Sequence, residues 1–330
     1  MQRKRLTIKE FAKAVGVSTA TVSRAFDSKG RISKETRLRI RELAKELGYT
    51  PNANARNLIM RKSDRIGFFY PSLIKGEPDY FIAEILLGIN EAASSLGFHM
   101  QGHPFPLNVE KAQAFHHQIL DGSLGGIIIL AGTETADLLN ETAKEAGIAR
   151  VVIGDSLAND DNVISFKTEQ GSEMAGRYML QSGRKNPVFI SGLQDEGKVK
   201  GFRKGLAELS DKLIIDQGGS TFQDGYIAGQ RILDKFPDTD AIFCANDILA
   251  IACMKALQEA GKNIPKDVAI IGCDNIRFAR YYSPALSTIQ IPKYELGQKA
   301  ISKLHELIES NETSSPGEVI SCDFILRESS

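Results

Sequence analysis

Along the first 50 residues the apolar positions recur at helical spacing in short runs. In TIKEFAKAVG, Ile8, Phe11, Ala12 and Val15 follow the i, i+3, i+4, i+7 stripe of one helix face. Thr7 and Glu10 have the spacing of a capping box, and Gly16 ends the helix. VSTATVSRAF restarts the pattern with Ser18 as N-cap. Its Val22, Ala25 and Phe26 fall on one face, and Thr19, Ala20, Ser23 and Arg24 on the opposite one. A third helix from about Ser33 to Leu47 turns Ile40, Leu43, Ala44 and Leu47 inward, with Gly48 as its stop. Two short helices joined by a tight glycine-containing turn and braced by a third describe a helix-turn-helix.

From Arg65 the period changes. RIGFFYP, FHMQGHP, GGIIIL and RVVIGD read as buried strands separated by helical stretches such as FIAEILLGINEAASSLG. NPVFIS, KLIIDQG, AIFCAND and VAIIGCDN form a second such series. Apolar strands alternating with amphipathic helices predict parallel sheets with right-handed crossovers. The fold class expected is an all-α head on an α/β body of two doubly wound parallel-sheet subdomains. A ligand then belongs at the strand C-termini, in the cleft between them.

Charge separates the same two regions. Residues 1–65 hold 17 Lys+Arg and 6 Asp+Glu, a net of +11, so the neutral total leaves −11 on the remainder. A basic head on an acidic body is the footprint of nucleic-acid binding. Small residues at Thr19 and Ala20 allow close approach to base edges, and Arg24 can pair with guanine or grip a phosphate. PNANARNLIMRKS, residues 51–63, has room for one or two helical turns, with Arg56 beside Leu58 and its apolar neighbours. Such a segment is marginal alone and suits a wedge inserted between base steps in the minor groove; the plainer reading is a linker. No apolar run approaches the ~20 residues of a bilayer span, and the N-terminus lacks the apolar region of a secretory signal. Cys244, Cys253, Cys273 and Cys322 form no CxxC pair and read as buried, reduced thiols of a cytoplasmic protein.

TIKEFAKAVGVSTATVSRAF, followed by ISKETRLRI, LGYTPNANARNL and RIGFFYPS, resembles the lactose-repressor/galactose-repressor family of bacterial transcription regulators. The resemblance covers nearly the whole chain, and GCDNIRFARYYSPALSTIQIP is especially similar to the purine repressors within it. It implies that Thr19, Ala20 and Arg24 read the major groove, that Thr7, Ser18 and Thr21 contact phosphates, and that Leu58 is the minor-groove wedge. It also implies a periplasmic-binding-protein-like body with crossovers near residues 164, 291 and 322. The expected domains are a head at 1–50, a hinge at 51–64 and a body at 65–330. The body divides into 65–163 plus 292–321, and 164–291 plus 322–330.

Polar and aromatic groups gather where the strands end. Asp155 closes RVVIGD, Asn246 and Asp247 close AIFCAND, and Asp274 closes VAIIGCDN, while Tyr80, Phe81 and Phe222 lie at helix starts near the same rim. Asp247 has a simpler reading, since the Asn246-Asp247 pair can cap the following helix. By resemblance Phe81, Phe222, Asn246 and Asp274 line an effector pocket. GLQDEGKV, Gly192 to Val199, has P-loop spacing, but Val199 stands where a P-loop needs Ser or Thr to hold Mg²⁺. By resemblance its Lys198 contacts effector instead, and a lysine at a helix start can receive a phosphate or carboxylate. His116 and His117 read as a solvated helix face. No catalytic triad, metal-ligand pair or dinucleotide fingerprint is present in the sequence, so neither an enzyme nor a cofactor or metal is expected. The sequence predicts a cytoplasmic, homodimeric repressor, of a sugar or other catabolic operon. It would bind a near-palindromic operator and respond to a sugar, sugar phosphate or purine, with no membrane partner. The competing classes are a small-molecule-binding protein without DNA activity, a purine-dependent corepressed regulator and a nucleotide-dependent enzyme.

Overall fold

A computed structural model describes residues 6–26, 32–47, 49, 63–72, 79–155, 161–192 and 195–330. Arg56, Leu58 and Gly48 lie outside the described residues. The chain divides into two compact units between Asp64 and Arg65.

The head contains α1 (Ile8–Val15), α2 (Thr19–Phe26) and α3 (Lys34–Glu46). The capping box forms: Thr7 N donates to Glu10 Oε2 at 2.8 Å, and Thr7 Oγ1 accepts from Glu10 N at 3.3 Å. Gly16 ends α1 at φ 76°, a left-handed conformation that costs glycine nothing. Phe11, Val22, Ala25, Ile40 and Ala44 make the core, and Tyr49 stacks on Phe11 with ring centroids 4.1 Å apart. Two expected core positions are not core. Ile8 is 37% exposed and Leu47 45% exposed, because each sits at a helix end where the apolar stripe has run past the three-helix contact.

The body has two six-stranded sheets. The first, in the order β11-β5-β4-β3-β1-β2, contains β1 (Arg65–Pro71), β2 (His99–Phe105), β3 (Gly126–Leu130), β4 (Arg150–Asp155), β5 (Val163–Phe166) and β11 (Glu318–Ile320). Its helices are α4 (Tyr80–Ser95), α5 (Val109–Leu120), α6 (Glu134–Glu145) and α11 (Lys293–Ser310). The second sheet, β12-β10-β9-β8-β6-β7, contains β6 (Pro187–Ser191), β7 (Ile214–Gln217), β8 (Ala241–Cys244), β9 (Ala269–Asp274), β10 (Ser287–Gln290) and β12 (Asp323–Ile325). It carries α7 (Thr168–Gln181), α8 (Glu196–Leu206), α9 (Phe222–Lys235) and α10 (Asp247–Glu259).

Every described pairing is parallel except β10 with β12, which is antiparallel. The chain passes between the lobes after Phe166, Gln290 and Ile320. The first passage therefore comes later than the expected boundary at residue 164, because residues 163–166 pair with β4 as a short buried strand. Two strands expected to be buried are edges. β2 is largely exposed and β7 alternates between half-buried and exposed, as suits strands with one free side. α7 and α8 approach so closely that a Cβ on Gly201 would lie 2.0 Å from the Glu169 carbonyl oxygen. That contact seats the middle of α8 on the first turn of α7 within the second lobe.

A candidate effector cleft and a DNA-reading face

Strand ends and helix starts of both lobes enclose a cavity of about 780 Å³. Pro71, Leu130, Asp155 and Phe166 reach it from the first sheet, and Ala245, Asp274 and Ile291 from the second. Helix N-termini fill the spaces between them, at residues 79–82, 131–133, 195–198 and 245–248. Parallel strands place all their C-terminal ends on one side, so each following helix begins there. Of the sequence-predicted residues, Tyr80, Phe81, Asp155, Lys198, Asn246 and Asp274 line this cavity. Phe222 opens α9 and packs against the core; Ser220, just before it, is the residue of that loop in the lining.

Several of these side chains are partly committed to the fold. Asp155 accepts from Thr168 N at 3.0 Å and from the Thr168 hydroxyl, holding the β5–α7 corner. Asn246 caps α10 by accepting from Leu249 N at 2.8 Å. Within the Asn246-Asp247 pair the cap comes from Asn246. Asp247 is fully buried, accepting from Ile276 N at 2.8 Å and Thr288 Oγ1 at 2.5 Å. Burial, then repulsion from Asp274, pushes its carboxyl well above the usual range. Its work is to brace the turn after β9, where Asp274 and Asn275 both take positive φ, 111° and 51°.

Lys198 donates to the Ala245 carbonyl at 2.8 Å and lies 3.2 Å from Asp195 Oδ1. Burial alone would lower its pKa, but Cys273, Asp195 and Asp274 more than offset this and raise it. Cys273 is itself held as a neutral thiol by burial, so the two carboxylates supply the attraction. Asp274 is 9% exposed, and burial raises its carboxyl to about 7 against the pull of Lys198 and Lys293. Among the described residues, nothing donates a hydrogen bond to that carboxylate.

Sequence reasoning missed Asp79 and Asp195. Asp79 caps α4 through Ile82 N at 3.0 Å, and burial raises its pKa. Asp195 accepts from Gly192 N, and with Lys198 it turns the P-loop-like stretch into an internally bonded corner. The acidic residue immediately before each helical run was the available signal. His116 is half-buried, with Nδ1 3.3 Å from Thr142 Oγ1, whereas His117 is exposed.

On the head, Thr19, Ala20 and Arg24 are exposed along one side of α2, with Ser23 half-buried beside them. Ser18 caps this helix, accepting from Thr21 N at 3.1 Å, and its hydroxyl lies 2.9 Å from that of Thr21. Thr7 is exposed at the start of α1. No helix among the described residues is long and apolar enough to cross a membrane.

Residues 7–52 match the bacterial regulatory proteins of the lacI family, and residues 198–330 match a periplasmic binding protein-like domain. A probable HTH-type transcriptional repressor, ExuR of Bacillus subtilis (strain 168), is 30% identical over 335 residues, covering 98% of both chains. The HTH-type transcriptional repressor PurR of Escherichia coli O139:H28 is 33% identical over 311 residues, covering 92% of this chain and 90% of its own. Both relatives are repressors rather than enzymes. A lac repressor dimer bound to operator and the anti-inducer ONPF has the same fold, with a TM-score of 0.85 at 22% identity and 99% coverage of each chain. The chain belongs to the lacI family of bacterial regulatory proteins.

Proposed function

We propose that the chain is a cytoplasmic, homodimeric repressor of a catabolic operon whose effector is a neutral, hydroxyl-rich molecule such as a sugar. The head, residues 1–50, reads a near-palindromic operator through Thr19, Ala20, Ser23 and Arg24, with Thr7, Ser18 and Thr21 on phosphates. Residues 51–64 are the hinge, where Arg56 and Leu58 enter the minor groove. Residues 65–330 hold the effector and carry the dimer contacts.

The observation that carries the effector class is the charge of the cavity lining. Among the described residues, Asp79, Asp155, Asp195, Glu196 and Asp274 contribute carboxylates to the lining, and Lys198 alone contributes a cation. That cation is already engaged by Asp195 and the Ala245 carbonyl. A phosphate entering here meets more acidic groups than cations among the described residues. Hydroxyl groups can instead donate to Asp274 and accept from the side-chain amide of Asn246, with Tyr80 and Phe81 in the same lining.

Thermal unfolding of the full chain with neutral sugars, sugar phosphates and purines tests this. A neutral sugar at a hundred times its Kd stabilises by about 2.7 kcal/mol. A transition raised only by phosphorylated compounds or only by purines sinks the assignment.

A further inference from the structure

Lys293 is the first residue of α11 and is 2% exposed. A lysine is poorly suited to that place. Burial of an ammonium costs several kcal/mol unless it is paired, and a helix N-terminus repels cations. An apolar residue would fill the space at lower cost, so the ammonium has another use. It donates to the Asp274 carbonyl and to the Ile291 carbonyl at 3.4 Å, and lies 3.4 Å from Glu84 Oε2. Glu84 belongs to α4, and α4 and α11 are held together in the first lobe. A Cβ on Gly297 of α11 would lie 2.3 Å from the Ile85 carbonyl oxygen of α4. Asp274 ends β9 in the second lobe. The ammonium thus joins the two lobes behind Asp274 and Ile291, which line the cleft.

We infer that Lys293 is a positioning residue that fastens the Asp274 turn of the second lobe to the first lobe and so sets the angle of the cleft. Glu84 holds the ammonium on the first-lobe side. The turn it reaches is braced from the second lobe by Asp247, through Ile276 N, and by Thr288 Oγ1, which accepts from Asn275 N at 3.2 Å. Rotation of the lobes carries Glu84 and Lys293 away from the Asp274 carbonyl together. The contact is therefore made in one lobe arrangement and lost in another, as a hinge-type transition needs. α4 meets the second lobe at a further point, where the Tyr80 ring packs edge-on against Phe278 at 5.3 Å. A tie at the base of the Asp274 turn also positions the carboxylate that the proposed effector would meet.

The test is an interlobe distance distribution by pulsed electron paramagnetic resonance on the full chain without effector. A failure here is then distinguishable from a failure of the effector reading. Spin labels go on Lys144→Cys in the first lobe and Lys266→Cys in the second, both exposed in the native chain. The four native cysteines are buried. Labelled chain is diluted into unlabelled chain so that each dimer carries one pair. Lys293→Met is expected to shift the distribution and broaden it on the order of two-fold, as a freed hinge samples more angles. Glu84→Gln, at a partly exposed side chain, keeps the fold should Lys293→Met unfold, and is expected to move the distribution in the same direction. A distribution unchanged from wild type in either folded variant overturns the inference.

Discussion

Replacing Asp274 with asparagine is expected to stabilise the effector-free protein at neutral and alkaline pH and to change little in acid. Burial raises the folded carboxyl to about 7 from an ordinary value of 3.8. Lys198 and Lys293 pull it down while Asp79 and Asp195 push it further up. A raised folded pKa means that the native state holds its proton more tightly than the unfolded chain does. The associated stability is complete below the unfolded value and is lost as pH rises from about 4 to about 7. At about 1.4 kcal/mol per unit, roughly three units correspond to an upper figure of about 4 kcal/mol. Relaxation around the ionised group brings the expected loss to about 2–4 kcal/mol. Asparagine has nearly the same shape and no proton to lose. It also relieves the repulsion on Asp247, which acts in the same direction. Urea unfolding of both proteins at pH 5 and pH 8 measures the effect, and the titrating groups they share largely cancel in the comparison. Part of the loss is already complete at pH 5, so the asparagine variant should gain on wild type by about 1–3 kcal/mol between the two pH values. A stability difference that is the same at both refutes the reasoning.

Arg24→Ala should weaken operator binding by about 1–3 kcal/mol and relax base preference where that side chain reads, as fluorescence anisotropy on matched and substituted duplexes would report. Equal losses on every duplex would reduce Arg24 to a phosphate contact. Gly201→Ala places a Cβ within 2.0 Å of the Glu169 carbonyl oxygen, so α7 and α8 must separate, at a cost of about 1–3 kcal/mol. An unchanged urea midpoint contradicts that packing. Leu58→Ala should reduce the ratio of specific to non-specific DNA affinity, because only the specific complex unstacks a base step; an unaltered ratio leaves Leu58 a linker residue.

The head was readable because its signals are local. Thr7, Glu10 and Gly16 sit within one helix and make the bonds their spacing predicts. The alternation of the body was readable for the same reason, since a strand buried on both faces is a plain apolar run, as in β3 and β9. What escaped depends on contacts distant in sequence. Nothing in FHMQGHP says that β2 has a neighbour on one side only. The short strand β5 is defined by its partners, β4 and β11. In the cleft, Asn246 and Asp247 are adjacent and chemically similar, and the Ile276 amide and the buried Thr288 hydroxyl, 29 and 41 positions from Asp247, decide which one caps and which one braces. Lys198 was visible as a cation, whereas its engagement by Ala245, 47 positions away, was not.

The central claim is an operator-binding protein under small-molecule control, and one titration addresses it directly. A duplex is selected by the full chain from a random pool, and its affinity is measured against a scrambled control at fixed salt, with and without a neutral sugar that raises thermal stability. The account predicts a near-palindromic selected site, bound on the order of a thousand-fold or more tightly than the control, with an affinity that changes when the sugar is added. Equal affinity for the two duplexes, or a selected-site affinity indifferent to a sugar that saturates the protein, would contradict it.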